Sequence, residues 1–407
     1  METIWERWTS LDSKKKSLQI VGHYEQFAQT IGYQSAEELE SDVEADRLAE
    51  SEYGLSQWRL IYKKFARNRA AIVGGVIIGI YYLVAIFGGF IAPYGLTTRS
   101  RDHVHMPPQR VRIVHEGSLH RPFVYGMDRM LDEDFRLTFN VDTGRIYPIR
   151  FFTRGDRYRL FGFIETDVKL FGVDEGGVVA LLGTDRQGRD LFSRIILGSQ
   201  VSLSIGLVGV VFSLVLGTIL GIVSGYFGKW IDDGIQRLIE LIRSFPSISL
   251  WMALSAAVPQ HWSVMQTYFA ITIILSLIGW TWLARQLRGS VLALRNADYV
   301  LAARLSGASH RWVIFRHLIP ATAGHIIVVS TLAMPAMILA ETSLSFLGLG
   351  LRPPVTSWGV LIQEAQNFQT IAHYPWLFLP AVFMAVAILA FSYLGDGLRD
   401  AIDPYTI

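Results

Sequence analysis

Cysteine is absent from this 407-residue chain, so neither a disulfide framework nor a thiolate metal site is available to it. A nucleotide-binding loop is also missing. The nearest approach, GTDRQGRD at Gly183 to Asp190, puts Arg189-Asp190 where Lys-Ser/Thr is needed, and Gly228-Lys229 stands among the wrong neighbours. If the chain drives anything uphill with ATP, another chain must bind the nucleotide. Gly-x-Ser-x-Gly and His-Glu-x-x-His do not occur, nor does a pair of aspartates inside an apolar run, which excludes the common hydrolase and membrane-protease patterns. The first residues hold no apolar core, only Trp5, Trp8 and Lys14 to Lys16, so no cleaved signal peptide is expected and the first span must direct its own insertion.

Charge is scarce at 18%, while 51% of residues are hydrophobic. That mix predicts a chain partly in bilayer and partly in water. The net charge of +2 hides a segregation of charge by segment. Residues 1–69 read as a cytoplasmic helical segment, with a capping box at Ser35 and Glu38 and an acidic run from Glu37 to Glu52. Arg59, Lys63, Lys64, Arg67 and Arg69 then stand before the first apolar run, as the positive-inside rule asks of a cytoplasmic flank.

That run, 70–92, is long enough to cross roughly 30 Å of hydrocarbon. Residues 93–195 read as a β-rich extracytoplasmic insertion. Phe135, Leu137, Phe139 and Val141 alternate with polar residues, Asp142-Thr143-Gly144 offers a turn, and Ile146 to Phe152 is the expected return strand. Further spans are expected at Val201–Phe227, at Gly234–Val258 with a kink at Pro246, at Tyr268–Ala284, at Ala323–Ala340 with Pro335, and at Trp376–Leu394. Within the second, Ser213, Gly217, Gly221 and Gly225 recur every fourth residue, which predicts close helix packing. The fold class is therefore an all-α polytopic membrane protein of six transmembrane helices with a small β-rich insertion, its core at 196–407. Between the last two spans, SFLGLGLRPPVTSWG is too interrupted for a helix and predicts a loop with a short helix after Trp358.

Four crossings separate the N-terminal flank from residues 285–320, which returns that loop to the side of the N-terminus. Its charge agrees. Arg285, Arg288, Arg295, Arg304, Arg311 and Arg316 crowd a stretch with only Asp298 to oppose them. Each Arg costs roughly 2.5 to 3.5 kcal/mol at a bilayer centre, so this stretch stays in water on the cytoplasmic side. Leu301, Leu305 and Ala308 recur at helical spacing, Gly307 can take a left-handed turn, and Ser309 can cap a second helix through Trp312 and Phe315. Pro320 closes the unit. Small residues at Ala302, Ala303, Gly307 and Ala308 leave room for another surface to dock.

Among ionisable groups near or within the spans, Glu341 is a candidate gate or a hydrogen-bonded structural group. Glu240 and Arg243, three apart, are expected to pair. His103, His105, His115 and His120 lie in a Pro-broken stretch that predicts no zinc geometry, and Asp128, Asp132, Glu133 and Asp134 lack the spacing of a calcium loop.

Ala302-Ala303, then Gly307, then Ile319-Pro320 resembles the EAA loop of ABC-importer permeases. Leu301 stands where that family usually has Glu, so no carboxylate role is carried over there. GTDRQGRDLFSR, ETSLSFLGLGLRPPVTSWG at Glu341 to Gly359 and LGDGLRDAIDP at Leu394 to Pro404 resemble three further signatures of the oligopeptide and dipeptide permeases of the C type. The likeness covers about residues 60–95 and 180–407. YPIRFF and KLFGVDEGG look like the extended loop that a subset of them carries. The resemblance implies the type I importer fold, a bacterial inner-membrane location with both termini cytoplasmic, and a peptide cargo, with oligosaccharides or nickel as alternatives. It implies as partners a second permease, two ATPase subunits holding ATP and Mg, an extracytoplasmic binding protein and membrane lipid, with no nucleic acid. The ATPase-coupling residues would be Leu301, Ala302, Ala303, Leu305, Gly307, Ala308, Trp312 and Pro320, and the insertion would be a docking surface for the binding protein or a brace on the partner permease. A stand-alone secondary transporter would instead show repeated halves or charges deep in several spans, and neither is seen.

Overall fold

The computed structural model describes residues 57–131, 137–174, 176–259, 261–351, 355–367 and 372–402. The chain divides into a unit ending at Lys64 and a unit from Phe65 to Ile407. The expected cap at Ser35 and the acidic run Glu37 to Glu52 lie outside the described residues, as do Asp132 to Arg136.

The described residues form twelve α-helices. They are α1 (Gln57–Arg67), α2 (Arg69–Ile86), α3 (Gly88–Ile91), α4 (Leu191–Phe227), α5 (Lys229–Arg243), α6 (Ser247–Ala256), α7 (Val264–Leu294), α8 (Asp298–Leu305), α9 (His310–Val313), α10 (Ile319–Phe346), α11 (Trp358–Glu364) and α12 (Leu379–Ile402). Among the described residues five helices are long and apolar enough to cross a membrane: Arg69–Ile86, Leu191–Phe227, Val264–Leu294, His310–Phe346 and Pro375–Ile402.

The expected span at 234–258 is not one of them. Lys229, Asp232, Asp233, Arg237, Glu240 and Arg243 make α5 a charged amphipathic helix, and the chain breaks at Ser244 to Pro246, where proline has no amide hydrogen to continue the ladder. The following α6 has 10 residues, about 15 Å of helix or half the hydrocarbon thickness.

Helix α4 and helix α7 run parallel and nearly touch. Gly217 faces Trp280 and Leu283, Gly221 faces Ala284 and Leu287, and Gly225 faces Arg288 and Val291. A Cβ on Gly221 would lie 2.7 Å from the Ala284 carbonyl oxygen, so only a residue without one permits this approach. Ser213 Oγ donates to the Ser276 carbonyl at 3.2 Å and Ser276 Oγ to the Gly209 carbonyl at 3.1 Å, which fixes the register. Parallel helices joined in sequence require the chain between them to travel back, and α5 with α6 makes that return.

The other helices pack antiparallel to their neighbours. Gly74 of α2 sits against Ala390 and Leu394 of α12, and the Tyr81 hydroxyl donates to the Phe383 carbonyl at 2.9 Å. Gly206 of α4 meets Met334 and Ile338 of α10, while Gly395 of α12 meets Leu332. The N-terminus of α2, the C-termini of α4, α7 and α12 and residues 298–318 therefore share one end of the bundle.

The opposite end carries the strands β1 (Arg112–His115), β2 (Ser118–Leu131), β3 (Leu137–Pro148), β4 (Arg150–Leu160) and β5 (Ile164–Gly172). The first three form one antiparallel sheet and the last two a hairpin. The turn expected at Asp142 to Gly144 is instead an irregularity inside β3, where Ile146 pairs with Tyr125 and Asp142 already pairs with Gly126. Arg145 draws Asp128 and Asp142 together there, so the local Asx geometry is absorbed by a bulge and the chain does not reverse. The strand expected to return over 146–152 is thus the end of β3 and the start of β4. Both ends of the insertion are tied: Met106 N–H donates to Thr184 Oγ1 at 2.8 Å, and the Ala180 N–H donates to Gln109 Oε1 at 2.7 Å.

Substituting Gly221 by Val should overpack the α4–α7 seam and lower stability by about 1–3 kcal/mol, read by thermal unfolding in nanodiscs. Gly234→Ala is the control. No atom lies within 4 Å of a Cβ there, so removing a mid-helix glycine should stabilise by up to about 1 kcal/mol.

Candidate coupling surface

Residues 298–318 form an elbow whose two short helices are set by three local devices. The Gly307 N–H bonds to the Arg304 carbonyl and the Ala308 N–H to the Ala303 carbonyl, both at 3.0 Å, which closes α8 in a Schellman turn. Gly307 has φ +86°, a conformation open to glycine and strained for β-branched residues. Ser309 then caps α9, its side chain accepting from the Trp312 N–H.

Pro320 does not end the unit as expected. The helix runs on from His310 to Phe346 through a π turn at Ile314–Leu318, where the Ile319 N–H bonds to the Ile314 carbonyl. A proline lacks the amide hydrogen for the carbonyl four residues back and its ring crowds it, and widening the preceding turn relieves both. The elbow is thereby continuous with α10.

One face of the elbow is buried on the bundle. Val300, Val313 and Leu318 are fully buried against Ile222 and Tyr226 of α4 and Val291 of α7, with Ala303 and Ala308 packed beside them. The Tyr226 hydroxyl and His310 Nδ1 lie 2.9 Å apart, and Arg295 donates to the Gly225 carbonyl at 3.1 Å. The other face is open: Leu305 is 89% exposed and Phe315 71%, with Leu301, Ala302, Gly307 and Trp312 also exposed. Apolar side chains among arginines, on a segment whose reverse side is locked, make a surface suited to a partner protein.

The lock extends to residues that sequence reasoning missed. Arg288 donates from Nε and Nη2 to the two oxygens of Asp232 at 2.5 and 2.6 Å, and Ser224 Oγ donates to the same carboxylate at 2.5 Å. The guanidinium holds that carboxyl below the usual aspartate range. This clamp joins α4, α5 and α7 at the base of the elbow; with its partners 56 positions apart in sequence, no local spacing announced it.

Glu240 and Arg243 do not pair as expected. Glu240 takes Arg237 at 3.2 Å, one helical turn earlier, and the Arg243 guanidinium lies over the Trp282 ring at 5.8 Å. Glu341 is fully buried, accepting from Ser345 Oγ at 2.8 Å and Ser202 Oγ at 3.4 Å, and Ser202 Oγ in turn accepts from the Trp358 N–H at 3.0 Å. It joins α10, α4 and α11. The four insertion histidines do not converge on one point: His105 stacks on Tyr374, His103 bonds Ser100, and His115 and His120 meet edge-on at 5.8 Å among Phe123 and Tyr125.

GTDRQGRD has a structural use at the far end. Arg194 donates to Asp185 and to Glu364, each at 2.6 Å, and Arg189 to Asp185 at 2.6 Å and Glu364 at 3.0 Å. Two guanidiniums and two carboxylates balance in a nearly water-free site that ties the start of α4 to α11. Asp190 caps α4 through Ser193, and burial pushes its carboxyl up to about 6.

A cavity of about 940 Å³ opens between α4, α6, α7, α10, α12 and the end of α5, lined by Ser213, Trp251, Met337 and Ala340 toward the bundle middle and by Arg243 and Arg399 toward the elbow end. Among its lining groups Trp251 Nε1, Gln286 Oε1 and His325 Nε2 are buried without a hydrogen-bond partner within the protein.

Residues 217–407 match the family described as binding-protein-dependent transport system inner membrane component, and residues 56–108 match the N-terminal transmembrane domain of oligopeptide transport permease C. The chain is 32% identical over 356 residues to the dipeptide transport system permease protein DppC of Lactococcus lactis, covering 86% of this chain and 91% of that one. It is 38% identical over 223 residues to the oligopeptide transport system permease protein OppC of Bacillus subtilis and 39% identical over 223 residues to that of Haemophilus influenzae. These two alignments cover 54% of this chain each, and 70% and 69% of the relatives.

Glu364→Ala should leave two buried guanidiniums sharing the single carboxylate of Asp185 and destabilise the protein by about 3–5 kcal/mol, seen as a lower unfolding midpoint of the purified protein.

Proposed function

Because this chain belongs to the family of binding-protein-dependent transport system inner membrane components, we propose that it is one of two permease subunits of an ATP-driven peptide importer. Both of its termini and the elbow face the cytoplasm of a bacterium, and the strands face outward. Two ATPase subunits carry the nucleotide and its Mg. The chain itself catalyses nothing: it supplies half of a pathway and a lever.

The observation that carries this reading is the two-faced elbow. Its buried face grips α4 and α7, it continues into α10 without a hinge, and Leu301, Leu305, Trp312 and Phe315 stand free on the other side. ATPase closure that pushes on this surface moves three helices together, because Val300, Val313 and Leu318 have no solvent gap into which to yield. Those helices border the cavity of about 940 Å³, so their movement changes its shape. A peptide passing through meets unpartnered polar atoms at Trp251, Gln286 and His325 that can hold its amides in transit.

Peptide cargo follows from the oligopeptide and dipeptide permeases that the chain is similar to; oligosaccharide or nickel cargo needs the same lever. Ligand analysis of the binding protein that copurifies with this chain distinguishes them.

Leu305→Asp with Phe315→Asp should release the ATPase subunits from the purified assembly; their full retention would sink the docking role. Gly307→Val should leave ATP hydrolysis measurable while peptide uptake into proteoliposomes falls at least about tenfold, because strain of about 1–3 kcal/mol at a positive φ distorts the elbow. Unchanged uptake would mean that no tight turn is needed there.

A further inference from the structure

We propose that the tip of the β4–β5 hairpin, centred on Phe161 and Phe163, is a membrane foothold that dips into the lipid leaflet away from the elbow. It rests on α2 crossing the bilayer and goes beyond the transport reading.

The first observation is a stripe on α2. Val73, Val76, Ile80 and Leu83 are all more than half exposed and recur at alternating steps of three and four, which places them on one helical face. In a span that face meets acyl chains. Phe87, the residue after the helix, carries the stripe one turn further to the end of the span.

The second is the path of the hairpin. Asp156 accepts from the Gly95 N–H at 2.7 Å, Tyr158 lies against Gly89, and the Phe161 ring stands edge-on to Phe87 at 5.8 Å. From Asp156 to Phe161, one residue past the end of β4, these contacts pass from 95 to 87, back toward the span, while Phe152 earlier on β4 lies 6.0 Å from Phe90. Lys169 on β5, almost wholly buried, holds this arrangement by donating to the Gly89 carbonyl at 2.9 Å beneath the Tyr158 ring. The hairpin is clamped with its tip at the level where α2 leaves the hydrocarbon.

The third is the tip itself. Phe163 lies 6.3 Å from Phe161 and is 75% exposed, and Phe161 and Ile164 are about half exposed. Phe161 and Gly162 both have positive φ, +53° and +82°, in a tight turn whose first position ordinarily takes Asn, Asp or Gly. The half of Phe161 left exposed beside Phe87 gains nothing in water. At the boundary of headgroups and acyl chains it buries its surface. Continuity with the α2 stripe selects lipid as the occupant over a protein.

The test uses the absence of native cysteine. F163C and I164C, made singly in the full chain, are spin-labelled and reconstituted into phosphatidylcholine–phosphatidylglycerol nanodiscs, and collision rates with oxygen and with a water-soluble nickel complex are measured. V76C on the α2 stripe and L119C on β2, where Leu119 is 80% exposed, are the lipid and water references. Expected is an oxygen-to-nickel ratio at both tip sites several-fold above that of L119C and approaching that of V76C. Tip ratios equal to L119C overturn the proposal. Suppression of both collision rates at the tip also overturns it, because a protein partner then covers the hairpin. So does a V76C label without excess oxygen collisions, which removes the lipid-facing stripe; coupling of the elbow to ATPases is read by separate experiments.

Discussion

Close parallel packing of α4 on α7 is the constraint from which the rest of the bundle follows. Gly217, Gly221 and Gly225 bring two backbones within a distance that no Cβ tolerates, and the Ser213 and Ser276 hydroxyls lock the register. With those helices parallel, α5 and α6 must carry the chain back, and the C-termini of α4 and α7 must emerge together. That shared exit is the platform on which Val300, Val313 and Leu318 are buried. A buried glycine stripe therefore decides where an exposed surface appears.

Each end of the bundle is finished with charge, in different ways. At the elbow end the Asp232–Arg288 clamp sits partly in water and fixes three helices at a point where arginines are abundant. At the strand end Asp185, Arg189, Arg194 and Glu364 neutralise one another almost entirely out of water, so each depends on the others being present. The first arrangement anchors the elbow, whose other face is exposed. The second seals the joint between the start of α4 and α11, from which Glu341 continues the polar contact through Ser202 into α10.

The elbow was readable from its residues because its devices are local. A glycine at a helix stop, a serine three residues before its backbone partner and apolar residues at helical spacing act over a few positions, and Gly307, Ser309 and Leu305 do what those spacings ask. Reading failed where a local signal met a distant one. Asp142 to Gly144 has turn chemistry, but pairing along β2 keeps β3 going through it. Pro320 looks like a stop, but a π turn lets the helix pass. The apolar content of 234–258 suggested a span, although the charges of α5 and the break before Pro246 leave only ten helical residues for the apolar part.

Composition and periodicity alone determined that this chain enters a bilayer, that its second long helix packs through small residues, and that an arginine-rich elbow stands between two apolar helices, because each is a property of contiguous residues and their solvent. Tertiary structure decided which carboxylate meets which guanidinium, that Glu240 turns to Arg237 while Arg243 lies over Trp282, and where the cavity opens. Those outcomes depend on side chains brought together from helices many residues apart. The energy of a charge or a ring is set by what surrounds it, and the surroundings exist only once the chain has folded.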